Sequence, residues 1–405
     1  MTTDKIAHKI GLLHSSSTET PTSFELCRLI VSQIPGDWES PDFKFLDPCC
    51  GRGNMLLAAA ERLEKIGHAK EHIVKNMLYG CDISKVQSMI AQKALYLFYS
   101  TGNNILNDNA LTKEWNMKFS AIATNPPYQS TNVIGTKQPK SHNLWSKFVT
   151  KAIDELVEDD GYVAMVTPDS WMSANSQILE KFKENNLLWC NTNVSEYFSE
   201  GSSFTAWVVQ KQHSGQRGVI DGIKVDFSKI NYLPRDFHNT YPVHDKVINS
   251  KFPKLEILVD TTCHSDRKHE KLSDTTNNVY KFLTFHTNAQ TKYSRLKSKH
   301  FDNSKIIWTL SGYFKPFYDP GQLGTTEICQ YVLVKNEDEA TCILSFLNSR
   351  LYQFIIKTGK WSGFLNGKVI CNLPRLPNKI YTDIELYDLF GLTPEERSYV
   401  DANAS

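Results

Sequence analysis

Four consecutive residues at the end of an apolar run combine an amide, two prolines and a phenol. The run is FSAIAT, and the four residues are Asn125, Pro126, Pro127 and Tyr128. The amide oxygen and a carbonyl fixed by the prolines can both accept hydrogen bonds from one exocyclic NH2 group. Such acceptors draw a ring-conjugated amine towards a tetrahedral, nucleophilic geometry, and the phenol ring offers a base a stacking surface. The same residues also occur as an ordinary turn.

A second stretch, DPCCGRGNM, follows the apolar run FKFL and precedes a helical pattern. Gly51 and Gly53 permit a tight turn at a helix N-terminus, where free N–H groups favour ligands. Leu56 stands where the dinucleotide fingerprint has its last glycine. Asp47 would repel a pyrophosphate but attract an ammonium or sulfonium charge, and S-adenosylmethionine carries both. The alternative is a purely structural turn.

Two further acids follow short apolar runs. Asp82 ends YGCD about 30 residues after the glycine loop, where an acid can accept hydrogen bonds from both ribose hydroxyls of a cofactor. The alternative role for Asp82 is to cap the next helix. Asp108, in NILNDNAL, can meet an adenine amino group.

These residues require a scaffold that brings strand ends together. Apolar runs of strand length alternate with helical patterns, which predicts an α/β fold with a doubly wound, mostly parallel sheet. The predicted strands are 43–47, 77–82, 119–125 and 161–167, and the predicted helices are 55–67, 84–98 and 144–160. Ligands bind where the strand order reverses, so we expect Asp47 and Asn125 on neighbouring strands. NVSEYF and FTAWVVQKQ are predicted to form a hairpin at the sheet edge.

The 405 residues, 40% hydrophobic, are enough for two domains. A polar, glycine-containing stretch, HSGQRG, places the boundary after residue 214, so that 215–405 form a mixed α+β domain. Residues 1–210 carry 19 basic and 23 acidic side chains, a net charge of −4, whereas 281–380 carry 14 and 6, a net charge of +8. The basic surplus is interleaved with aromatic residues, which indicates either a solvated face or a surface for phosphates.

The composition also limits location and chemistry. No apolar stretch approaches the roughly 20 residues of a membrane-spanning helix, and the polar start lacks a signal peptide, so we expect a cytoplasmic protein without membrane partners. The nine cysteines form no C-x-x-C pair, which favours reduced thiols over disulfides or zinc.

In their order along the chain, these motifs resemble those of S-adenosylmethionine-dependent adenine-N6 DNA methyltransferases. More narrowly, they resemble those of the TaqI-type gamma group. The resemblance covers the first half of the chain and resumes weakly at 343–377. It implies a class I methyltransferase (Rossmann-like) domain in 1–214, a target-recognition domain in 215–405 and a flipped-out adenine as substrate. The implied cofactor residues are Thr20, Pro21, Asp47, Pro48, Cys49, Gly51, Gly53, Asp82, Ile83 and Asp108; the implied catalytic residues are Asn125, Pro126, Pro127 and Tyr128.

The resemblance also implies that Phe198 stacks on the flipped base opposite Tyr128, with Phe204 as the alternative because the spacing is one residue longer than usual. Cys49 and Cys50 depart from the small residues that are commoner in the loop. The implied partners are double-stranded DNA and a separately encoded restriction endonuclease, and a protein with both domains on one chain can act as a monomer. The amine lone pair is the nucleophile, so this chemistry requires no metal.

Other functions remain open at this stage. An RNA adenine-N6 methyltransferase, a protein glutamine N5-methyltransferase or an inactive nucleic-acid-binding relative would carry similar motifs. Lys137 and Lys140 are candidates for phosphate contacts, and Lys360 with Trp361 for DNA contacts. HSDRKHE, at 264–270, is expected to be a solvated loop.

Overall fold

The computed structural model describes residues 1–12, 22–128, 143–198, 203–212, 217–264, 272–361 and 367–404. The chain divides into two compact units. Unit 1 comprises Met1–Trp171 and Ser176–Ser228, and unit 2 comprises Met172–Asn175 and Lys229–Ser405. No helix in the described ranges is long and apolar enough to cross a membrane.

Unit 1 is built on a nine-stranded sheet in the order β3-β2-β1-β4-β5-β7-β6-β8-β9. The strands are β1 (Phe45–Asp47), β2 (Leu78–Asp82), β3 (Asn104–Asn107), β4 (Phe119–Thr124), β5 (Val157–Pro168), β6 (Asn186–Asn191), β7 (Phe204–Gln210), β8 (Arg217–Ile220) and β9 (Ile223–Asp226). The helices are α1 (Thr3–Gly11), α2 (Phe24–Gln33), α3 (Asn54–Ile66), α4 (Lys70–His72), α5 (Lys85–Phe98), α6 (Leu144–Lys151) and α7 (Gln177–Glu184). The predicted doubly wound α/β fold is confirmed.

The strand order reverses between β1 and β4. Strand β1 pairs in parallel with β2 on one side and β4 on the other, with Leu46 opposite Ile122. All three β1 residues are buried, because helices cover both faces of the sheet. The carboxyl ends of β1 and β4 therefore meet at the switch point, where doubly wound folds bind ligands.

Three local predictions were wrong. The helix predicted over 144–160 ends in a π-helical turn at Ala152–Leu156, because Val157 already pairs with Phe119 of β4. The hairpin predicted at the sheet edge does not form, because β7 is an interior strand that pairs with β5 and β6. The segment after residue 214 still belongs to unit 1, since Gly218 of β8 pairs with Leu187 and the units divide at Ser228.

Unit 2 mixes helices with two small sheets, as the predicted α+β class requires. One sheet has the order β10-β12-β11-β15 and the other β14-β13-β16. The strands are β10 (Leu272–Ser273), β11 (Phe282–Thr287), β12 (Gln290–Ser294), β13 (Lys305–Thr309), β14 (Phe317–Asp319), β15 (Gly324–Thr325) and β16 (Cys329–Leu333). The helices are α8 (Phe237–Ile248), α9 (Glu337–Leu347), α10 (Arg350–Thr358), α11 (Gly367–Ile370), α12 (Asp383–Leu389) and α13 (Pro394–Asn403).

An ion pair is buried in the sheet of β13 and β14. Lys305 Nζ lies 2.6 Å from Asp319 Oδ2, and the two side chains are 2% and 1% exposed. The ammonium also donates to the carbonyl oxygens of His300 and Asn303, and Asp319 accepts from the Gln322 amide. Every charge is therefore compensated, which is the condition for a buried pair to be tolerated.

Lys305→Met should destabilise unit 2 by about 3–5 kcal/mol, because it leaves the Asp319 carboxylate buried without its counter-charge. Urea denaturation monitored by circular dichroism measures the change. Lys297→Met is the matched control, because the Lys297–Asp302 pair has side chains 47% and 73% exposed. The control should cost less than about 1 kcal/mol. Equal losses in the two variants would contradict the assigned role of the buried pair.

Candidate active site

Asp47 ends β1 as a buried acid. The residue is only 3% exposed, and its Oδ1 accepts a hydrogen bond from the Cys49 amide at 3.1 Å. Burial raises the Asp47 pKa to about 7, and the nearby Asp82 charge adds to the rise. The Thr124 side chain and the Cys49 amide act in the opposite direction. A cation brought to this site would ionise the carboxyl group fully.

The glycine loop after Asp47 is tied to the end of β2. The Cys50 amide donates to the Cys81 carbonyl oxygen at 2.9 Å, and the Gly51 amide donates to Asp82 Oδ2 at 2.9 Å. Gly51 and Gly53 adopt φ values of +48° and +88°, in the left-handed region that favours glycine. A Cβ at Gly53 would lie 3.3 Å from Ala91 on α5. The loop thus has the tight geometry that the sequence predicted.

Asp82 holds two segments at once. Its Oδ2 accepts from the Gly51 amide, and its Oδ1 accepts from the Ser84 amide at 2.8 Å. The cap of α5 is Ser84, whose hydroxyl accepts from the Gln87 amide. The alternative role of Asp82 as the helix cap is therefore taken by Ser84.

Ile83 and Asp108 lie at the same edge of the sheet as Asp82. Ile83 is 74% exposed, which leaves its side chain available to an aromatic ring. The Asp108 amide donates to the Asp82 carbonyl oxygen at 3.1 Å, and Asp108 Oδ1 accepts from the Asn109 amide. The structure thus gathers Asp47, the loop, Asp82, Ile83 and Asp108 around the ends of β1, β2 and β3.

Asn125 follows β4 directly, and both ends of its amide are hydrogen-bonded. Nδ2 donates to Thr22 Oγ1 at 2.9 Å, and Oδ1 accepts from the Tyr128 hydroxyl at 2.7 Å. Asn125 is next to Thr124, the residue that lowers the Asp47 pKa. Asn125 therefore follows the strand that neighbours the one ended by Asp47, as the sequence predicted. Pro126 is buried and Pro127 is exposed.

Three aromatic rings form a cluster beside the tetrad. The Tyr128 and Phe204 rings stack with centroids 4.9 Å apart, and Phe198 lies 5.0 Å from Phe204. Phe204, the alternative to Phe198 in the sequence analysis, is buried at the start of β7 and contacts both other rings. Phe198 is half-buried and follows a 3₁₀ turn at Ser195–Tyr197. Its contact with a base stays a prediction.

Thr20 and Pro21 lie outside the described residues, but the next residue contacts the site. The Thr22 carbonyl oxygen accepts from Asn54 Nδ2 at 2.8 Å, in addition to the contact of its hydroxyl with Asn125. Asn54 Oδ1 is buried and has no hydrogen-bond partner among the described residues. Neither Thr22 nor Asn54 was predicted from the sequence, although they adjoin the motifs at 20–21 and 47–53.

An ammonium group fits this part of the site. Asn54 Oδ1 is a buried acceptor without a donor among the described residues, and the neighbours that shift the pKa of the buried Asp47 carboxyl, Thr124, Cys49 and Asp82, are not basic. A buried acceptor that lacks a donor costs about 1–3 kcal/mol, which a ligand N–H would recover. In the described residues, no group of three or more His, Cys, Asp or Glu side chains is arranged to hold a metal ion.

The remaining candidate residues fall either outside the described residues or in unit 2. Lys137 and Lys140 lie outside the described residues, as does 265–270 of the HSDRKHE segment. In unit 2, Trp361 Nε1 donates to the Leu233 carbonyl oxygen at 2.8 Å, and the Arg235 guanidinium lies 5.9 Å from its ring centre. Trp361 thus anchors its own segment within unit 2, and the DNA contact of Lys360 and Trp361 stays a prediction.

Residues 76–204 match the Eco57I restriction-modification methylase family. The matched segment spans β2 to the start of β7 and contains Asp82, Asp108 and the whole tetrad. An uncharacterized adenine-specific methylase of Mycoplasma pneumoniae is 24% identical over 254 residues, which cover 41% of this chain and 60% of that protein. The type II restriction enzyme and methyltransferase RM.BcgI of Heyndrickxia coagulans is 29% identical over 136 residues, 31% of this chain and 20% of that protein.

The chain therefore spans less than two thirds of the length of these relatives. Among solved structures, the ATP-dependent type ISP restriction-modification enzyme LlaBIII bound to DNA has a TM-score of 0.48 and 11% identity, covering 98% of this chain and 40% of that one. A score of this size assigns neither fold nor function. The matches to the family and to the curated proteins confirm the resemblance to adenine-specific methylases in its broad form, and the TaqI-type gamma group stays a prediction.

Asp47→Asn should remove a pH dependence of stability. The folded protein binds a proton at Asp47 up to a pKa of about 7, whereas the unfolded chain loses it near 4. Wild-type stability should therefore fall as the pH rises from about 4 through 7, and level off above that. The melting temperature of Asp47→Asn should be close to that of wild type near pH 4 and exceed it at pH 7.5. A melting-temperature difference between the two proteins that does not change with pH would contradict the raised pKa of Asp47.

Proposed function

We propose that this chain transfers a methyl group from S-adenosylmethionine to the N6 amine of an adenine in DNA. One observation carries the proposal: a buried acid suited to a cationic cofactor and an amide suited to an exocyclic amine end the adjacent strands β1 and β4. The match of residues 76–204 to a restriction-modification methylase family supports the same reaction.

The cofactor would lie over the glycine loop. Asp47 and Asn54 Oδ1 would accept hydrogen bonds from its ammonium, and the positive end of α3, which begins at Asn54, would favour its carboxylate. Asp82 would bind the ribose hydroxyls, with Ile83 against the adenine ring and Asp108 near its amino group. When bound, S-adenosylmethionine supplies an electrophilic methyl on a sulfonium. Thr20 and Pro21 remain part of the proposed cofactor site on the strength of the motif.

The tetrad would bind and orient the amine. Asn125 Oδ1 accepts from the Tyr128 hydroxyl, and the adenine N6–H would replace this donor. The second acceptor is the backbone carbonyl fixed by the prolines. Asn125 and the carbonyl would hold the amine for attack on the methyl, so that the S–C electron pair would stay on sulfur and the amine proton would leave to solvent. Holding the amine nitrogen within about 3–3.5 Å of the methyl carbon accounts for most of the required acceleration.

An adenine in a duplex must leave the stack to reach this amide. Extrusion costs a few kcal/mol, and stacking on an aromatic ring returns about 1–3 kcal/mol per base. Tyr128 and Phe198 are proposed to supply that stacking. Unit 2 contains the whole basic segment 281–380 and is proposed to bind double-stranded DNA as the target-recognition domain. We also propose that the protein acts as a monomer in the cytoplasm and that its partner is a separately encoded restriction endonuclease.

The direct test is to incubate the protein with methyl-labelled S-adenosylmethionine in three separate reactions, which contain DNA, RNA or a protein extract. Label should enter DNA and be recovered as N6-methyladenine. Asn125→Ala should abolish transfer while changing the cofactor dissociation constant by less than about threefold, because its amide is proposed to bind the substrate amine and not the cofactor. The matched control is Asn104→Ala at the opposite end of β3, whose side chain bonds the Lys75 and Leu78 carbonyl oxygens. Label in RNA or protein alone would contradict the proposal.

Tyr128 should act through its ring rather than its hydroxyl. Tyr128→Phe removes the donor to Asn125 Oδ1 but keeps the stacking surface, so kcat/KM should stay within about threefold of wild type. Tyr128→Ala removes the ring, and kcat/KM should fall by about 5- to 150-fold, the equivalent of 1–3 kcal/mol. Steady-state kinetics on one duplex substrate measures both. Equal losses in the two variants would show that the hydroxyl is required.

A further inference from the structure

Thr22 connects two parts of the site that lie far apart in sequence. Its hydroxyl accepts from Asn125 Nδ2 at 2.9 Å, across 103 residues, and its carbonyl oxygen accepts from Asn54 Nδ2 at 2.8 Å, across 32 residues. Asn54 is the first residue of α3 and Asn125 the first residue after β4. One residue therefore bonds to both the cofactor loop region and the tetrad.

The Asn125 amide depends on this contact for its orientation. Asn125 lies beyond the end of β4, so no strand ladder holds its backbone. When an adenine amine replaces the Tyr128 hydroxyl, the atom facing the base must be Oδ1, because an outward Nδ2 would oppose another donor. Thr22 accepts from Nδ2 and so satisfies the end of the amide that faces away from the base.

We propose that Thr22 is a positioning residue for methyl transfer, which holds the Asn125 amide with Oδ1 directed at the substrate amine. The proposal rests on the proposed function and concerns a contact outside the motif at 20–21. Thr22 acts on the amide and touches neither substrate nor methyl group. A displacement of about 1 Å in such a group can lower a rate about 100-fold.

Thr22→Val tests the proposal because valine keeps the shape of threonine and removes the acceptor. We expect kcat to fall about 10- to 100-fold, with the cofactor dissociation constant, measured by calorimetry, within about threefold of wild type. Thr22→Ser restores a hydroxyl, and kcat should return to within about threefold of wild type. Ser23→Ala is the matched control, because the neighbouring Ser23 hydroxyl caps α2 by accepting from the Leu26 amide. This control should lower the melting temperature and leave kcat unchanged.

A second readout does not depend on activity. In protein labelled with ¹⁵N-asparagine, Thr22→Val should move the side-chain amide resonances of Asn125, and Ser23→Ala should not. Wild-type kcat in Thr22→Val, or failure of Thr22→Ser to restore kcat, would overturn the proposal. Losses of kcat and cofactor affinity in equal proportion would overturn it too, because Thr22 would then belong to the cofactor site. A wild-type protein that methylates no substrate would instead refute the proposed function, and the resonances would still report on the contact.

Discussion

The site depends on one constraint, a carboxyl group held out of water at the end of a three-residue strand. Asp47 is buried because β1 is an interior strand of the sheet and helices cover both of its faces. The same position that buries the acid puts it beside β4, whose last residue, Thr124, influences the Asp47 pKa. A polar group buried in this way is costly unless a ligand compensates it. We propose that a cationic cofactor provides this compensation.

At two other proposed contact residues, Asn125 and Asp82, the polar side-chain atoms are hydrogen-bonded within the protein. Both ends of the Asn125 amide are bonded, and both Asp82 oxygens accept backbone N–H groups. A substrate amine would therefore exchange one hydrogen bond for another, which changes the free energy little. We infer that affinity for the base comes mainly from stacking, and that the hydrogen bonds at Asn125 set its orientation. The stacking of Tyr128 on Phe204 keeps the phenol ring fixed before any base enters.

The sequence was sufficient for features that depend on local pattern. Alternating apolar runs and helical periodicity predicted the doubly wound sheet, and the positions of Asp47 and Asn125 at strand ends followed from its topology. Features that depend on distant pairing could not be predicted. The helix over 144–160 ends early because Val157 pairs with Phe119, and the first unit extends past residue 214 because β8 pairs with β6. Neither of these strand pairings can be recognised from the residues that neighbour Val157 or β8 in the sequence.

The same distinction applies within the site. The loop glycines and the tetrad are contiguous motifs, so sequence alone located them. Thr22 and Asn54 contribute through side-chain contacts across 103 and 32 residues, which no spacing rule describes. The predicted edge hairpin was wrong, and the sequence already argued against it. FTAWVV is apolar at nearly every position, which indicates a strand buried on both faces rather than an edge strand.

A crystal structure of the protein with a non-reactive analogue of S-adenosylmethionine and a methylatable duplex would test the central claim most directly. The account predicts the ammonium of the analogue at Asp47, an adenine outside the duplex, and its N6 atom within about 3.5 Å of both Asn125 Oδ1 and the position of the transferable methyl. An analogue bound away from Asp47, or an adenine amine that does not reach Asn125, would contradict it.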